Sequence, residues 1–129
     1  MTRIVIISDV HERHEDLILP SGEILIEAGD GTYNGADEQI ISWLIWLQTQ
    51  TKRFRLVLSI FGNHEIGPRD CMEDFWEFKK TYAPDVKWLH NSSFTDKISG
   101  LKFWGQPQVS TINGRWAWEA TESEMEELV

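Results

Sequence analysis

The fold of this chain is best predicted from one stretch, Phe54-Arg55-Leu56-Val57-Leu58-Ser59-Ile60-Phe61-Gly62-Asn63-His64-Glu65. Its first part is largely apolar and rich in branched side chains, which predicts a buried strand. Gly62 then permits a turn, so that Asn63 and His64 stand at the C-terminal end of that strand. Open α/β sheets bind their ligands at this end of the strands. The two side chains are therefore candidate functional groups, although a Gly-Asn-His-Glu turn alone is also compatible with an incidental histidine.

Two earlier apolar runs end in the same way. The first, Ile4-Val5-Ile6-Ile7, leads into Ser8-Asp9-Val10-His11, and the second, Glu23-Ile24-Leu25-Ile26-Glu27-Ala28, leads into Gly29-Asp30-Gly31. Each run thus ends in groups that bind metals or transfer protons. We predict an α/β fold with a mixed sheet, in which five side chains converge at one edge. They are Asp9, His11, Asp30, Asn63 and His64.

The ordered motifs Asp-x-His, Gly-Asp and Gly-Asn-His-Glu together resemble those of the calcineurin-like metallophosphoesterase superfamily. A more local resemblance is to its small bacterial, MPPED-like branch, in the segments 8–11, 19–26 and 103–107. The resemblance implies a metallophosphoesterase-like sheet with flanking helices, which is part of a four-layer αββα sandwich. It matches only the first part of the family domain. We therefore expect residues 1–129 to form one domain that lacks the C-terminal portion, as a truncated product, a fragment or half of a split enzyme.

The same resemblance implies the chemistry. It predicts a hydrolase of phosphomonoesters or phosphodiesters that uses water activated by divalent ions. Asp9 and His11 would bind a first ion, Asn63 a second, and Asp30 would bridge the two. Mixed nitrogen and oxygen ligands suit Mn, Fe, Zn or Ni better than Ca. His64 would not be a ligand but would protonate or stabilise the leaving oxygen, a role that suits an imidazole because it titrates near neutral pH.

The family completes its metal site with later histidines that this chain lacks. Its four histidines are at positions 11, 14, 64 and 90, and none lies in a Gly-His-x-His motif. We therefore expect one divalent ion to bind better than two and turnover to be weak. The alternative function is a catalytically incomplete remnant that serves as a metal-binding or interaction module. A doubly wound domain without metal would explain the strands but not their polar ends.

Composition limits the partners. The chain has 129 residues, 41% of them hydrophobic, and a net charge of −9 without a basic stripe, so a nucleic-acid duplex is an unlikely partner. The single cysteine, Cys71, excludes an internal disulfide. Without a signal peptide or an apolar run of membrane-spanning length, we expect a cytoplasmic protein. The partners expected are a phosphoester substrate and either a second copy of the chain or a complementing C-terminal fragment.

The remaining pattern predicts the other elements. Apolar periodicity predicts helices over 36–50 and 70–82 with a loop at 66–69, and a weakly amphipathic helix over 115–129. Between the last two helices we expect a short strand over 86–89, a turn over 90–93 and a hairpin over 94–104 whose strands are joined at 99–100. The segment 106–114 is expected to be irregular. His14 is expected either in the site or exposed on a loop, His90 at the surface or behind the ligands, and Cys71 half-buried. Glu65 is a candidate for orienting its neighbours.

Overall fold

The computed structural model describes residues 1–128, so Val129, the last residue of the predicted final helix, lies outside the described residues. At its centre is a parallel sheet of four strands in the order β1-β2-β3-β4. The strands are β1 Ile4–Ile7, β2 Ile24–Glu27, β3 Leu56–Ser59 and β4 Lys87–Trp88. The predicted α/β architecture is thus confirmed, although the central sheet is parallel rather than mixed. The register aligns the ends of β1, β2 and β3, with Ile7 beside Glu27 and Glu27 beside Ser59.

Two helices, α1 Asp37–Gln50 and α3 Met72–Tyr82, pack on one face of this sheet. The short helix α2 Ile66–Asp70 contacts α3. Apolar side chains from the strands, such as Leu25 and Val57, form one core with Trp43 of α1 and Phe75 of α3. Burying each large apolar side chain stabilises the fold by about 1.5–3 kcal/mol. The position of α1 agrees with the predicted range to within one residue, since its apolar face is long and regular.

A hairpin covers part of the opposite face. It consists of β5 Ser92–Thr95 and β6 Lys102–Gly105, which pair antiparallel. Phe94 and Phe103 from the hairpin pack against Ile24 and Leu58 of the sheet. In the described part of the chain β1 pairs only with β2, and Ile6 on this strand is 65% exposed. The outer strand β1 therefore presents apolar side-chain surface to solvent.

Three predicted segments differ from the structure. The predicted loop at 66–69 is helical, and Pro68 is tolerated because it lies in the first turn of α2, where a missing N–H costs nothing. The segment 106–114, expected to be irregular, contains β7 Val109–Ser110, which pairs with β8 Glu119–Ala120. The predicted helix over 115–129 is confirmed only in α4, Glu122–Glu126. Trp118 has a φ of +63°, which is not helical. The helix α4 starts at Glu122, and Thr121 and Glu124 form a capping box at its N-terminus.

Smaller corrections concern the hairpin and Cys71. Ser92 and Ser93 belong to β5 rather than to a turn, and the connection between the strands is longer than predicted because Asp96 accepts hydrogen bonds from Arg55 and Ser99. Cys71 is exposed rather than half-buried. Within residues 1–128 no helix combines the length and the apolar character that crossing a membrane requires.

Candidate metal centre

The loops that follow β1 and β2 are joined by main-chain hydrogen bonds. Asp9 N–H donates to Gly29 O at 3.0 Å, His11 N–H to Asp30 O at 3.0 Å, and Glu12 N–H to Gly31 O at 2.8 Å. The pairing of the two strands is thus continued beyond their ends. As a result the Asp-x-His motif lies directly beside the Gly-Asp motif.

These two loops adopt an unusual backbone conformation. Asp9, His11, Glu12 and Asp30 have φ values of +56°, +46°, +65° and +60°, in the left-handed region. A residue with a side chain loses about 1–2 kcal/mol there relative to the right-handed region. Such residues persist only where the surrounding structure holds them, and they cluster at functional sites. Here the hydrogen bonds between the two loops hold them.

The Gly-Asn-His-Glu turn after β3 packs against Asp30. The main-chain N–H of His64 donates to Asp30 Oδ1 at 2.9 Å. A Cβ atom at Gly62 would overlap the carboxylate and the main-chain nitrogen of Asp30. Gly62 is therefore required by the close approach of the two loops, and it brings the third motif into contact with the second.

Glu65 connects these two loops through hydrogen bonds from its buried side chain. Its side chain is fully buried, and Oε1 accepts hydrogen bonds from the main-chain N–H groups of Asp30 at 2.9 Å and Gly62 at 2.8 Å. Oε2 accepts from Thr32 Oγ1 at 2.9 Å. Burial raises the pKa of Glu65 to about 7, although the hydrogen bonds from Gly62 and Thr32 oppose the shift. The orienting role expected for Glu65 is consistent with these contacts.

Glu27 is a second buried acid that the sequence analysis did not single out. It accepts hydrogen bonds from Gly29 N at 3.0 Å and from Ser59 Oγ at 2.8 Å. Burial, followed by the charge of Glu65, raises its pKa well above the usual value. The available signal was an acidic residue at the end of an otherwise apolar buried strand, Ile24–Glu27.

Both site histidines expose the same ring nitrogen to the site. His11 Nδ1 lies 3.3 Å from Thr32 O, and His64 Nδ1 lies 2.7 Å from Tyr33 O. A carbonyl oxygen only accepts hydrogen bonds, so Nδ1 carries the proton in each ring. In the neutral ring Nε2 then keeps its lone pair, which is the usual arrangement of a metal-binding histidine. His11 Nε2 lies 3.9 Å from Asp9 Oδ1, so these two donors are neighbours.

The structure brings three candidate donors into one group. His11, Asp30 and His64 each offer a ligand atom, and these atoms all lie within 4.8 Å of one another. Zn–N and Zn–O bonds are about 2.0–2.2 Å, so atoms this close fit around one divalent ion after small adjustments. Burial raises the pKa of Asp30, and the hydrogen bond from His64 N–H partly offsets that shift. The donor set therefore suits a divalent cation.

Two predicted ligands lie beside this group rather than within it. Asp9 adjoins His11, and its side chain is 64% exposed. Asn63 is half-buried, and its main-chain oxygen accepts a hydrogen bond from Ala117 N at 3.0 Å. The ligand roles of both side chains stay predictions.

The remaining histidines have their own surroundings. His14 is 2% exposed and packs near Trp46, and its Nε2 lies 3.1 Å from Ser42 Oγ. It is therefore not the exposed loop residue considered above but part of the contact between its loop and α1. Burial lowers its pKa. His90 is half-buried between Phe61 and Trp118, and burial lowers its pKa too.

Comparisons with known proteins identify several relatives. The chain is 31% identical over 101 residues to the human and mouse proteins named Metallophosphoesterase domain-containing protein 1, which covers 78% of this chain and 30% of each relative. A UPF0046 protein of Caenorhabditis elegans is 38% identical over 65 residues, 50% of this chain and 22% of that protein. No family model matches the chain.

A fungal relative has an unrelated kind of name. The Probable rhamnogalacturonate lyase C of Emericella nidulans is 40% identical over 65 residues, which is 50% of this chain but only 6% of that protein. So small a share gives no reason to transfer its name. Among these relatives, this chain spans at most 30% of their length.

Proposed function

This chain is related to the metallophosphoesterase-domain proteins, and we propose that it is a metal-dependent phosphoesterase that hydrolyses phosphomonoesters or phosphodiesters. One observation above all supports the proposal. Ligand atoms of His11, Asp30 and His64, which come from the ends of three adjacent strands, lie within 4.8 Å of one another. Such a group at the C-terminal edge of a parallel sheet is the expected place for a catalytic site.

The proposed ligands are Asp9, His11, Asp30 and Asn63. Asp30 is in the middle, since it contacts the loops of both other motifs, and it is the residue we propose as the bridge between two ions. The combination of imidazole nitrogen and carboxylate oxygen suits Mn, Fe, Zn or Ni. When bound, divalent ions lower the pKa of water and offset the negative charge of the phosphoryl group.

His64 is the proposed proton donor to the leaving oxygen. The contact of its Nδ1 with Tyr33 O at 2.7 Å fixes the ring orientation, and its main-chain N–H is fixed by Asp30. Nε2 is thus the nitrogen left to take up and deliver a proton. Proton transfer by a positioned side chain contributes about 10²–10⁴-fold to a rate.

Calorimetric titration of the purified chain with Mn²⁺ tests the metal part of the proposal. We expect one ion to bind more tightly than a second, because Asp30 and Asn63 are the only proposed ligands left for the second. Hydrolysis of p-nitrophenyl phosphate and bis-p-nitrophenyl phosphate, with and without Mn²⁺, tests the catalytic part. Two equally tight Mn²⁺ sites would contradict the predicted ligand set, and metal binding without any Mn²⁺-dependent hydrolysis would contradict the enzyme.

The second candidate is a metal-binding or interaction module without turnover. It is favoured by the positions of His14 and His90, which pack against Trp46, Phe61 and Trp118 rather than joining the donor group. This module would bind Mn²⁺ and lose that binding in the Asp30→Ala variant, yet show no hydrolysis of either ester above the variant's rate.

A further inference from the structure

Four aromatic rings are in successive contact at the candidate metal centre. The ring centroids of Tyr33 and His11 are 5.9 Å apart, those of His11 and His64 are 4.4 Å apart, and those of His64 and Trp116 are 4.5 Å apart. The two inner rings belong to the proposed machinery. The two outer rings, Tyr33 and Trp116, have no assigned role and flank it.

Trp116 is held next to His64 by its chain neighbours. Ala117 is fully buried, and its main-chain N–H donates to Asn63 O at 3.0 Å. Trp118 stacks on Phe61 with the ring centroids 5.4 Å apart and the planes at 16°. Phe61 and Asn63, which both precede His64 in the chain, thus fix the segment containing Trp116. Its position beside His64 is a built feature of the fold.

The two outer rings are not core residues. Trp116 is half-buried and belongs to neither apolar core, in contrast to its neighbour Trp118, which packs against the main one. Tyr33 is 62% exposed, although its main-chain N–H is held by Gln39 Oε1 at 3.1 Å. Aromatic side chains that are positioned by the main chain yet open to solvent are suited to contact a ligand.

We propose that Trp116 is a specificity-determining residue that selects phosphoesters with a flat aromatic group on the ester oxygen, and this inference rests on the proposed function. His64 would act on the leaving oxygen, so a ring attached to that oxygen lies next to His64 and within reach of the Trp116 indole. Aromatic rings attract one another in offset or edge-to-face arrangements with centroids 4.5–7 Å apart. Tyr33, whose ring lies beside that of His11, provides a second aromatic ring at the site.

Binding of phosphonates tests this inference without turnover. The probes are phenylphosphonate, cyclohexylphosphonate and methylphosphonate, titrated calorimetrically into the chain in the presence of Mn²⁺. The cyclohexyl group matches the phenyl group in size but has no flat π face. We expect phenylphosphonate to bind about three- to tenfold more tightly than cyclohexylphosphonate, in line with the contribution of an aromatic pair.

Two variants assign the preference to the indole. Trp116→Ala is expected to remove the phenyl-over-cyclohexyl preference, and Trp116→Phe to keep a part of it. A merely structural role would weaken all three phosphonates by the same factor in both variants, and that result would overturn the inference. The absence of phenylphosphonate binding to the unaltered chain, or an unchanged preference in Trp116→Ala, would overturn it too.

The outcome is separable from that for the proposed function. If phenylphosphonate binds with a Trp116-dependent preference but phenyl phosphate is not hydrolysed, the enzyme is contradicted and the aromatic selectivity stands. If phenyl phosphate is hydrolysed in a Mn²⁺-dependent way but the phosphonate preference is unaffected by Trp116→Ala, the selectivity is wrong and the enzyme stands.

Discussion

Oδ1 of Asp30 accepts a hydrogen bond from the main-chain N–H of His64, with an N–O distance of 2.9 Å. A side chain predicted to bridge two metal ions therefore also fixes the residue predicted to deliver the proton. The bond opposes the rise in the pKa of Asp30 that burial causes, so it favours the ionised carboxylate that metal binding needs. Metal affinity and the position of His64 thus both depend on the Asp30 carboxylate. Substitutions of Asp30 and His64 can separate metal binding from proton transfer.

The first prediction concerns that separation. Asp30→Ala is expected to abolish Mn²⁺ binding, since it removes the central ligand. His64→Ala is expected to keep the Kd for Mn²⁺ within about threefold and to lose residual hydrolysis, since removing a general acid costs about 10²–10⁴-fold in rate. Calorimetry and ester hydrolysis measure the two effects. Glu77→Ala, which removes an exposed carboxylate from α3, is the control for net charge.

One result would reassign His64. Its ligand atom lies within 4.8 Å of those of His11 and Asp30, close enough for an imidazole to bind the same ion. A loss of Mn²⁺ affinity of tenfold or more in His64→Ala would make it a ligand and would contradict the role predicted from the sequence.

The second prediction concerns the contact between the second and third motifs. Gly62→Ala places a methyl group against the Asp30 carboxylate, and we expect the two loops to separate, with a loss of Mn²⁺ affinity and about 1–3 kcal/mol of stability. Gly100→Ala is the matched control. Gly100 has a φ of +78°, and an added Cβ there would have no neighbouring atom within 4 Å. Its substitution should therefore cost about 1–2 kcal/mol through backbone strain and leave the Kd for Mn²⁺ unchanged. Equal metal affinities in both variants would rule out the packing argument.

The third prediction concerns Glu65. Glu65→Ala leaves the main-chain N–H groups of Asp30 and Gly62 and the hydroxyl of Thr32 without their acceptor. Unsatisfied buried donors are costly, and we expect a loss of about 2–4 kcal/mol in the free energy of unfolding. Thr32→Val removes one of the three bonds with little change of shape and should cost about 1 kcal/mol. Urea denaturation measures both, and a smaller effect for Glu65→Ala than for Thr32→Val would refute the assignment.

Regular apolar patterns and strand ends could be predicted from the sequence. The periodic apolar face of α1 and the three runs that end in polar motifs are local signals. The resemblance at the three motifs then implied that Asp30 bridges two ions. That role stays a prediction, and its loop contacts the loops of both other motifs. Each of these inferences required only neighbouring residues or a recognised order of motifs.

The parts that failed depend on contacts between distant residues. The final segment was predicted as a weakly amphipathic helix because four apolar side chains lie among its glutamates. The hydrogen bond from Ala117 to Asn63 and the stacking of Trp118 on Phe61 instead hold its first part in another conformation. The carboxyl group of Glu27 is buried because Gly29 and Ser59 supply donors to it, and local sequence does not reveal that pairing. Local sequence likewise does not reveal that Trp116 lies beside His64.

The fourth prediction is a pH dependence due to His14. Burial lowers its pKa in the folded chain below the ordinary value of 6.5, although the charges of Glu15 and Glu12 oppose the shift. Between the two pKa values the unfolded chain binds more protons than the folded chain. The contribution of His14 to stability is therefore complete above about pH 6.5 and declines as the pH falls below it.

A variant isolates this contribution. Urea denaturation of the unaltered chain and of His14→Gln at pH 5.5 and pH 7.5 gives the free energy of unfolding for each. We expect the advantage of the unaltered chain to be smaller at pH 5.5. An advantage that is constant with pH, or larger at pH 5.5, would contradict the prediction.

The fifth prediction concerns self-association. Among residues 1–128, those of β1 pair with β2 alone, and Ile6 is 65% exposed on this outer strand. Exposed apolar edge strands favour association, so the isolated chain should form dimers or larger species in sedimentation velocity experiments. Ile6→Lys should reduce their share, whereas Ile98→Lys, at a 77% exposed position outside the central sheet, should not. A monomer at all concentrations would show the expectation of self-association to be wrong.

The left-handed backbone at positions 9, 11, 12 and 30 also limits which sequences can occupy these loops. Glycine, asparagine and aspartate tolerate this conformation better than other residues do, so the aspartates at two of these positions suit both the backbone and the ligand role proposed for them. Glu12 is exposed and is the one of these four residues without a proposed ligand role. Its replacement is therefore limited by the backbone conformation alone. We expect glycine, asparagine or aspartate at position 12 to leave the stability of the loop unchanged, whereas a branched residue such as valine there would disturb the loop that carries His11.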